Sequence, residues 1–198
     1  MEKINLREGS RIPFVMNGIF NDDMIQKITK FYIEKEFQNF VQKFFEKKEE
    51  IGYVDIYINS SGGNLNDAIL ARELIENHIK SQSSNIKIVV HLIGMCHSAS
   101  ILFIGVGDIR VLYQSTTMVF HGVTSDENGR KTLGYNQRIV EKSNFLNSVM
   151  EKYYMQSGFK KDFVDDLFKD LNNDRFITHE EMIYGGIVTH VSPSYVIK

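Results

Sequence analysis

Six short runs rich in β-branched and aromatic residues, at positions 12–16, 53–59, 86–93, 109–113, 117–121 and 187–191, are separated by segments whose apolar residues recur at helical spacing. Such runs predict strands, and the longer periodic segments predict helices between them. Strand and helix alternating along one chain is the pattern of an α/β fold with crossover connections. Positions 66–80 predict a helix with Ile69, Leu70, Leu74 and Ile75 turned inward and Arg72, Glu73 and Glu76 outward. Positions 131–154 predict another, with Ile139, Phe145, Leu146, Val149 and Met150 as its apolar stripe, preceded by a polar turn at 126–130. A long helix is expected over 22–50, where Phe31, Tyr32, Phe37, Phe40, Val41, Phe44 and Phe45 give more aromatic surface than one face needs. Its rings are either ordinary core or part of a partner interface.

Between the predicted strand at 86–93 and a second apolar run at 101–106 lies Gly94-Met95-Cys96-His97-Ser98-Ala99-Ser100. A serine at a strand-to-helix elbow is aimed outward beside free amides, which makes Ser98 a candidate nucleophile. Ser100 is read instead as a capping or packing serine. Upstream, the strand at 53–59 runs into Ser60-Ser61-Gly62-Gly63-Asn64-Leu65-Asn66, where paired glycines bring backbone N–H groups close to a ligand, as an oxyanion hole requires. Downstream, a strand ends in His121 followed by Gly122. Two carboxylates, Asp170 and Asp174, lie just ahead of Thr178-His179-Glu180-Glu181, a capping box that predicts the start of a last helix.

These blocks, in this order, resemble the ClpP family, the proteolytic subunit of Clp protease, over about 11–191. The family's Asn-Ser-Pro-Gly-Gly-Ser appears as Asn59-Ser60-Ser61-Gly62-Gly63-Asn64, its Gly-Gln-Ala-Ala-Ser-Met as Gly94-Met95-Cys96-His97-Ser98-Ala99, and its Met-Ile-His as Val119-Phe120-His121. The acidic block Asp-Thr-Glu-Arg-Asp-Arg-Phe appears as Asp170-Leu171-Asn172-Asn173-Asp174-Arg175-Phe176. The resemblance implies a ClpP/crotonase-type α/β spiral of stacked ββα units with a projecting handle helix, one domain over 1–198 with the handle region at about 124–155. It implies Ser98 as nucleophile, His121 as general base and acid, and Asp170 as the group that orients His121. The amides of Gly63 and Ala99 would form the oxyanion hole. Substrate would lie as an added strand along Gly62, Gly63, Asn64 and Leu65 and along Gly122, Val123 and Thr124. The implied activity is a serine endopeptidase cleaving unfolded polypeptide inside two stacked heptameric rings, fed by an AAA+ ATPase, with no cofactor. Tyr57 matches an aromatic of the family's ATPase-docking groove, and Tyr153-Tyr154-Met155, at the end of the handle, suits a subunit contact. Departures are a segment at 1–10 shorter than the family's axial gate, a longer first helix region, and Gly122-Val123 where the family has Gln-Pro.

Composition narrows the classes. With 198 residues, 42% of them hydrophobic, the chain can bury one sizeable core. A net charge of −2 and scattered lysines give no basic footprint for nucleic acid. One cysteine excludes an intrachain disulfide and fits a reducing compartment, and Cys96 reads as a small apolar residue under the elbow. His91 and His97, six positions apart, have no standard metal-ligand spacing. The start Met1-Glu2-Lys3 has no signal-peptide pattern and no run approaches a membrane span, so a cytoplasmic address is expected. The rival readings are a crotonase-family acyl-CoA enzyme, a non-catalytic ClpP-like ring subunit, and a Ser-Lys peptidase using Lys131.

Overall fold

The computed structural model describes residues 9–47, 51–123 and 133–196. In chain order its elements are β1 (Arg11–Asn17), α1 (Asp22–Ile33), α2 (Lys35–Glu46), β2 (Gly52–Ser60), α3 (Leu65–Gln82), β3 (Ile86–Cys96), α4 (Ala99–Ile104), β4 (Ile109–Leu112), β5 (Met118–Phe120), α5 (Leu133–Gln156), α6 (Lys161–Leu167), β6 (Arg175–Ile177), α7 (His179–Tyr184) and β7 (His190–Val191). Five strands form a parallel sheet in the order β1-β2-β3-β4-β7, and β5 pairs antiparallel with β6. Parallel neighbours need crossovers, which α1 with α2, then α3, then α4, and last the segment from β5 through α7 supply in turn. This is the expected α/β architecture, with the six expected strands within one to three residues.

Alternation along the strands separates two faces. Val54, Ile56 and Ile58 of β2 and Ile88, Val90 and Leu92 of β3 are fully buried under the helices. The opposite face of β2 carries Tyr53, Asp55 and Tyr57, and here a polar cluster is closed over rather than solvated. Arg11 forms a two-pronged ion pair with Asp55, His91 Nε2 donates to Asp55 Oδ1 at 2.7 Å, and His91 Nδ1 lies 3.1 Å from the Tyr113 hydroxyl. Tyr57 stacks on the His91 ring at 4.3 Å. Burial pushes the Asp55 carboxyl up, but the hydrogen bonds from His91 and Arg11 and the Arg11 charge outweigh it, holding the carboxyl below its ordinary 3.8.

Four expectations need correcting. The helix expected over 22–50 is two helices, broken at Glu34, whose ψ of 147° is extended. Phe31 and Phe37, six positions apart, would sit about 120° apart around a straight helix. The bend instead brings their rings to 5.3 Å and lets Gln38 Nε2 donate to Tyr32 O at 2.7 Å, covering an orphan carbonyl at the end of α1. On α3 the inner face is Ala68, Ala71, Arg72, Ile75 and Ile79, while Leu70 is exposed. Arg72 turns inward because the end of α4 needs a donor: its Nη1 bonds Leu102 O at 3.1 Å and Ser157 Oγ at 2.9 Å. On α5, Phe145 faces solvent at 66% exposure and the buried polar Asn147 takes an inner place. Tyr154 is core, stacked on Phe159, and Tyr153 is tied to Glu73, so of the expected contact trio only Met155 is exposed. The strand β6 and helix α6 were not legible in the pattern. The capping box forms as expected, with Thr178 and Glu181 each bonding the other's backbone N–H.

Candidate active site

The elbow is built where β2, β3 and β5 converge. Cys96 N donates to Thr117 O at 2.9 Å, His97 N to Ser60 O at 3.0 Å and Ser98 N to Val119 O at 2.7 Å, so three consecutive amides stitch the turn to its neighbours. Ser98 has φ 54° and ψ −125°, a left-handed conformation that no other non-glycine residue adopts among the described residues. Backbone strain of this kind, held by surrounding bonds, projects the side chain away from the turn. Behind Ser98 the chain enters α4, all six residues of which are buried, so the elbow rests on a rigid support.

The glycine pair is required by space as well as conformation. Gly62 has φ +100°, and a Cβ there would stand 2.7 Å from Ser98 Cβ. Gly63 has φ +132°, and its Cβ would collide with the Phe20 backbone at 2.5 Å. Phe20 is the strut of this loop, with its N donating to Gly62 O at 2.8 Å and its O accepting from Asn64 N at 2.9 Å. Among the described residues the amides of Gly63 and Ala99 donate to no acceptor, whereas the Ser98 amide is committed to Val119 O.

Gly63, Asn64, Leu65, Ser98, Ala99, His121, Gly122 and Val123 line one cavity of about 620 Å³. Its far wall is a single face of α5, running from Lys142 and Ser143 through Leu146 to Met150. Thr124 and Lys131 lie outside the described residues. Asp170 is exposed and is not part of the lining. Its carboxylate accepts from Asn172 N at 3.2 Å and Asn173 Nδ2 at 2.8 Å, and these bonds hold it below the ordinary carboxylate range, the Asn173 bond most of all. His121 Nδ1–H donates to Gly122 O at 2.7 Å, and no hydrogen bond joins it to Asp170. Asp174 does not pair with Arg175, which bonds Asp166 and Glu181 instead.

Several contributors carry little sequence signal. Asn147 Oδ1 accepts from Val123 N at 3.0 Å and Leu171 O accepts from Gly122 N at 3.1 Å, together fixing the segment after His121. These bonds occupy the amides of both Gly122 and Val123. Asn147 was detectable only as a polar interruption between Leu146 and Met150. His97 points away from the cavity to Thr117 Oγ1 at 3.0 Å. Burial pushes the Cys96 thiol up to about 12, so it stays protonated and inert. Among the described residues no cluster of His, Cys, Asp or Glu fit to hold a metal occurs, and no helix is long and apolar enough to cross a membrane.

No curated protein matches the chain. The family model for Clp protease matches residues 12–194, a span that includes the strained elbow, both glycines, His121 and the acidic turn. The chain belongs to the Clp protease family.

Proposed function

We propose that this member of a peptidase family is a serine endopeptidase, with Ser98 as nucleophile, His121 as general base and acid, and the amides of Gly63 and Ala99 as the oxyanion hole. The observation that carries the reading is the convergence on one cavity of a serine in a strained elbow, a histidine, and two uncommitted amides. Because Gly122 O can only accept, the His121 bond places the proton on Nδ1 and leaves Nε2 to take the proton of Ser98 Oγ. The two amides would then receive the oxyanion, an effect worth roughly 100- to 1,000-fold. Asp170 is the third member, stabilising the imidazolium when it reaches His121. A crotonase-type acyl-CoA enzyme would need the amides but neither the serine nor the histidine.

The substrate is unfolded polypeptide lying beside Gly62 to Leu65 and Gly122 to Thr124, within two stacked heptameric rings served by an AAA+ unfoldase in the cytoplasm. Treatment with a fluorophosphonate probe should label Ser98, and Ser98→Ala should abolish both labelling and peptide hydrolysis with no change in particle size. Hydrolysis that survives Ser98→Ala at more than a small fraction of the wild-type rate overturns the assignment.

A further inference from the structure

His121 and Asp170 are each satisfied by someone else. The His121 Nδ1–H is given to Gly122 O at 2.7 Å, and the Asp170 carboxylate is engaged by Asn172 N at 3.2 Å and by Asn173 Nδ2 at 2.8 Å. Yet their backbones are held together: Gly122 N donates to Leu171 O at 3.1 Å, and Leu171 Cβ lies 2.7 Å from where a Cβ on Gly122 would be. Asp170 is therefore anchored one residue from the contact with the strand end that carries His121, while its side chain faces solvent. An exposed carboxylate on a fixed backbone exchanges among staggered rotamers quickly, so its population is set by which donor holds it.

We propose that Asn173 is a positioning residue, whose side-chain amide parks the Asp170 carboxylate away from His121 and leaves Gly122 O as the acceptor for Nδ1–H. Gly122 O sets the right tautomer, since it too keeps the proton on Nδ1. Being neutral, it stabilises an imidazolium less than a carboxylate does, so the parked arrangement is a slow form of the proposed peptidase. Breaking the Asn173 bond leaves Asn172 N alone on the carboxylate and shifts Asp170 toward replacing Gly122 O, with no bond made or broken beyond hydrogen bonds. This inference rests on the serine-peptidase reading for its kinetic consequence but not for its geometry.

Both Asn173 and Asp170 are exposed, so Asn173→Ala leaves the fold intact. Loss of one solvent-exposed hydrogen bond to the carboxylate should raise occupancy of the joined arrangement about fivefold. Two measurements on the full-length protein test this. The first is the proton resonance of His121 Nδ1–H in histidine-labelled protein, assigned with His121→Gln: in Asn173→Ala it should move downfield, as a carboxylate replaces a carbonyl. The second is the rate of fluorophosphonate labelling of Ser98 at neutral pH. Asn173→Ala should label about fivefold faster. In an Asp170→Asn background both changes should vanish. An unmoved resonance overturns the inference whatever the activity, as does a gain in rate that survives Asp170→Asn. A protein unlabelled in every variant but with the resonance shift present overturns the peptidase reading and leaves the parked carboxylate standing.

Discussion

At the scale of single residues, the site depends on atoms that are missing. Any side chain at position 62 would occupy the space of Ser98 Cβ and stand 2.9 Å from His97 O, and the neighbour that would have to yield is the strained serine itself. Gly62→Ala should therefore act twice, through an L-residue forced to φ +100° and through displacement of the Ser98 side chain. We expect a loss of stability of about 1–3 kcal/mol in denaturant titrations. A drop in Ser98 labelling should be larger than that loss explains. A variant as stable and as reactive as wild type would show that the loop relaxes around the added methyl and that the two glycines are not a spatial requirement. Gly122 faces the same constraint against Leu171, which is why a glycine follows His121.

At the scale of elements, the buried cluster on the outer sheet face ties β1, β2 and β3 together through Arg11, Asp55 and His91. Asp55 is 3% exposed and its carboxyl is held below 3.8, so it binds a proton more weakly folded than unfolded. Its contribution is fully present above the unfolded carboxylate range and is lost as pH falls through the lower folded value. Asp55→Asn should cost about 3 kcal/mol at neutral pH, since removing one partner of a buried pair strands the others. The gap between variant and wild type should narrow below about pH 4, where the unfolded wild-type chain takes up a proton that the folded Asp55 still resists. A gap constant from pH 7 to pH 3 would mean that packing, not the ion pair, holds these strands. The pairing that makes this cluster was only half legible. Strands as apolar as 54–58 and 88–92 announce themselves, and the elbow and glycine pair could be read from residue type and order. The break at Glu34 has no glycine or proline to mark it and follows from two aromatic stripes out of phase. The strand Arg175–Ile177 is three residues long and exists because β5 is there to pair with it. Asp170 is turned to Asn172 N and Asn173 Nδ2, bonds within one tight turn that its place in the acidic block does not foretell.

At the scale of the whole molecule, the helix that walls the cavity also presents apolar surface to solvent. On α5, Val140 and Phe145 are 57% and 66% exposed, while Leu146, Asn147 and Met150 of the same helix pack toward the site. One element thus has an inner face that shapes the cavity and an outer face that a single chain leaves bare. Members of the Clp protease family are typically oligomeric rings, and burial of such side chains against another copy is the hydrophobic gain that would hold one together. The protein should scatter light as a particle far above its 22.9 kDa chain at micromolar concentration. Phe145→Glu should reduce that mass because a charge would have to be desolvated in the contact. Its cost to the isolated chain should stay within about 0.5 kcal/mol, since the position is exposed there. Coupling follows from the shared helix: a smaller particle should also react more slowly at Ser98, because α5 supplies both Asn147, which holds Val123, and the cavity wall. A wild-type chain that remains monomeric across the concentration range while labelling at full rate would separate the two faces and show that the exposed side chains of α5 serve no assembly.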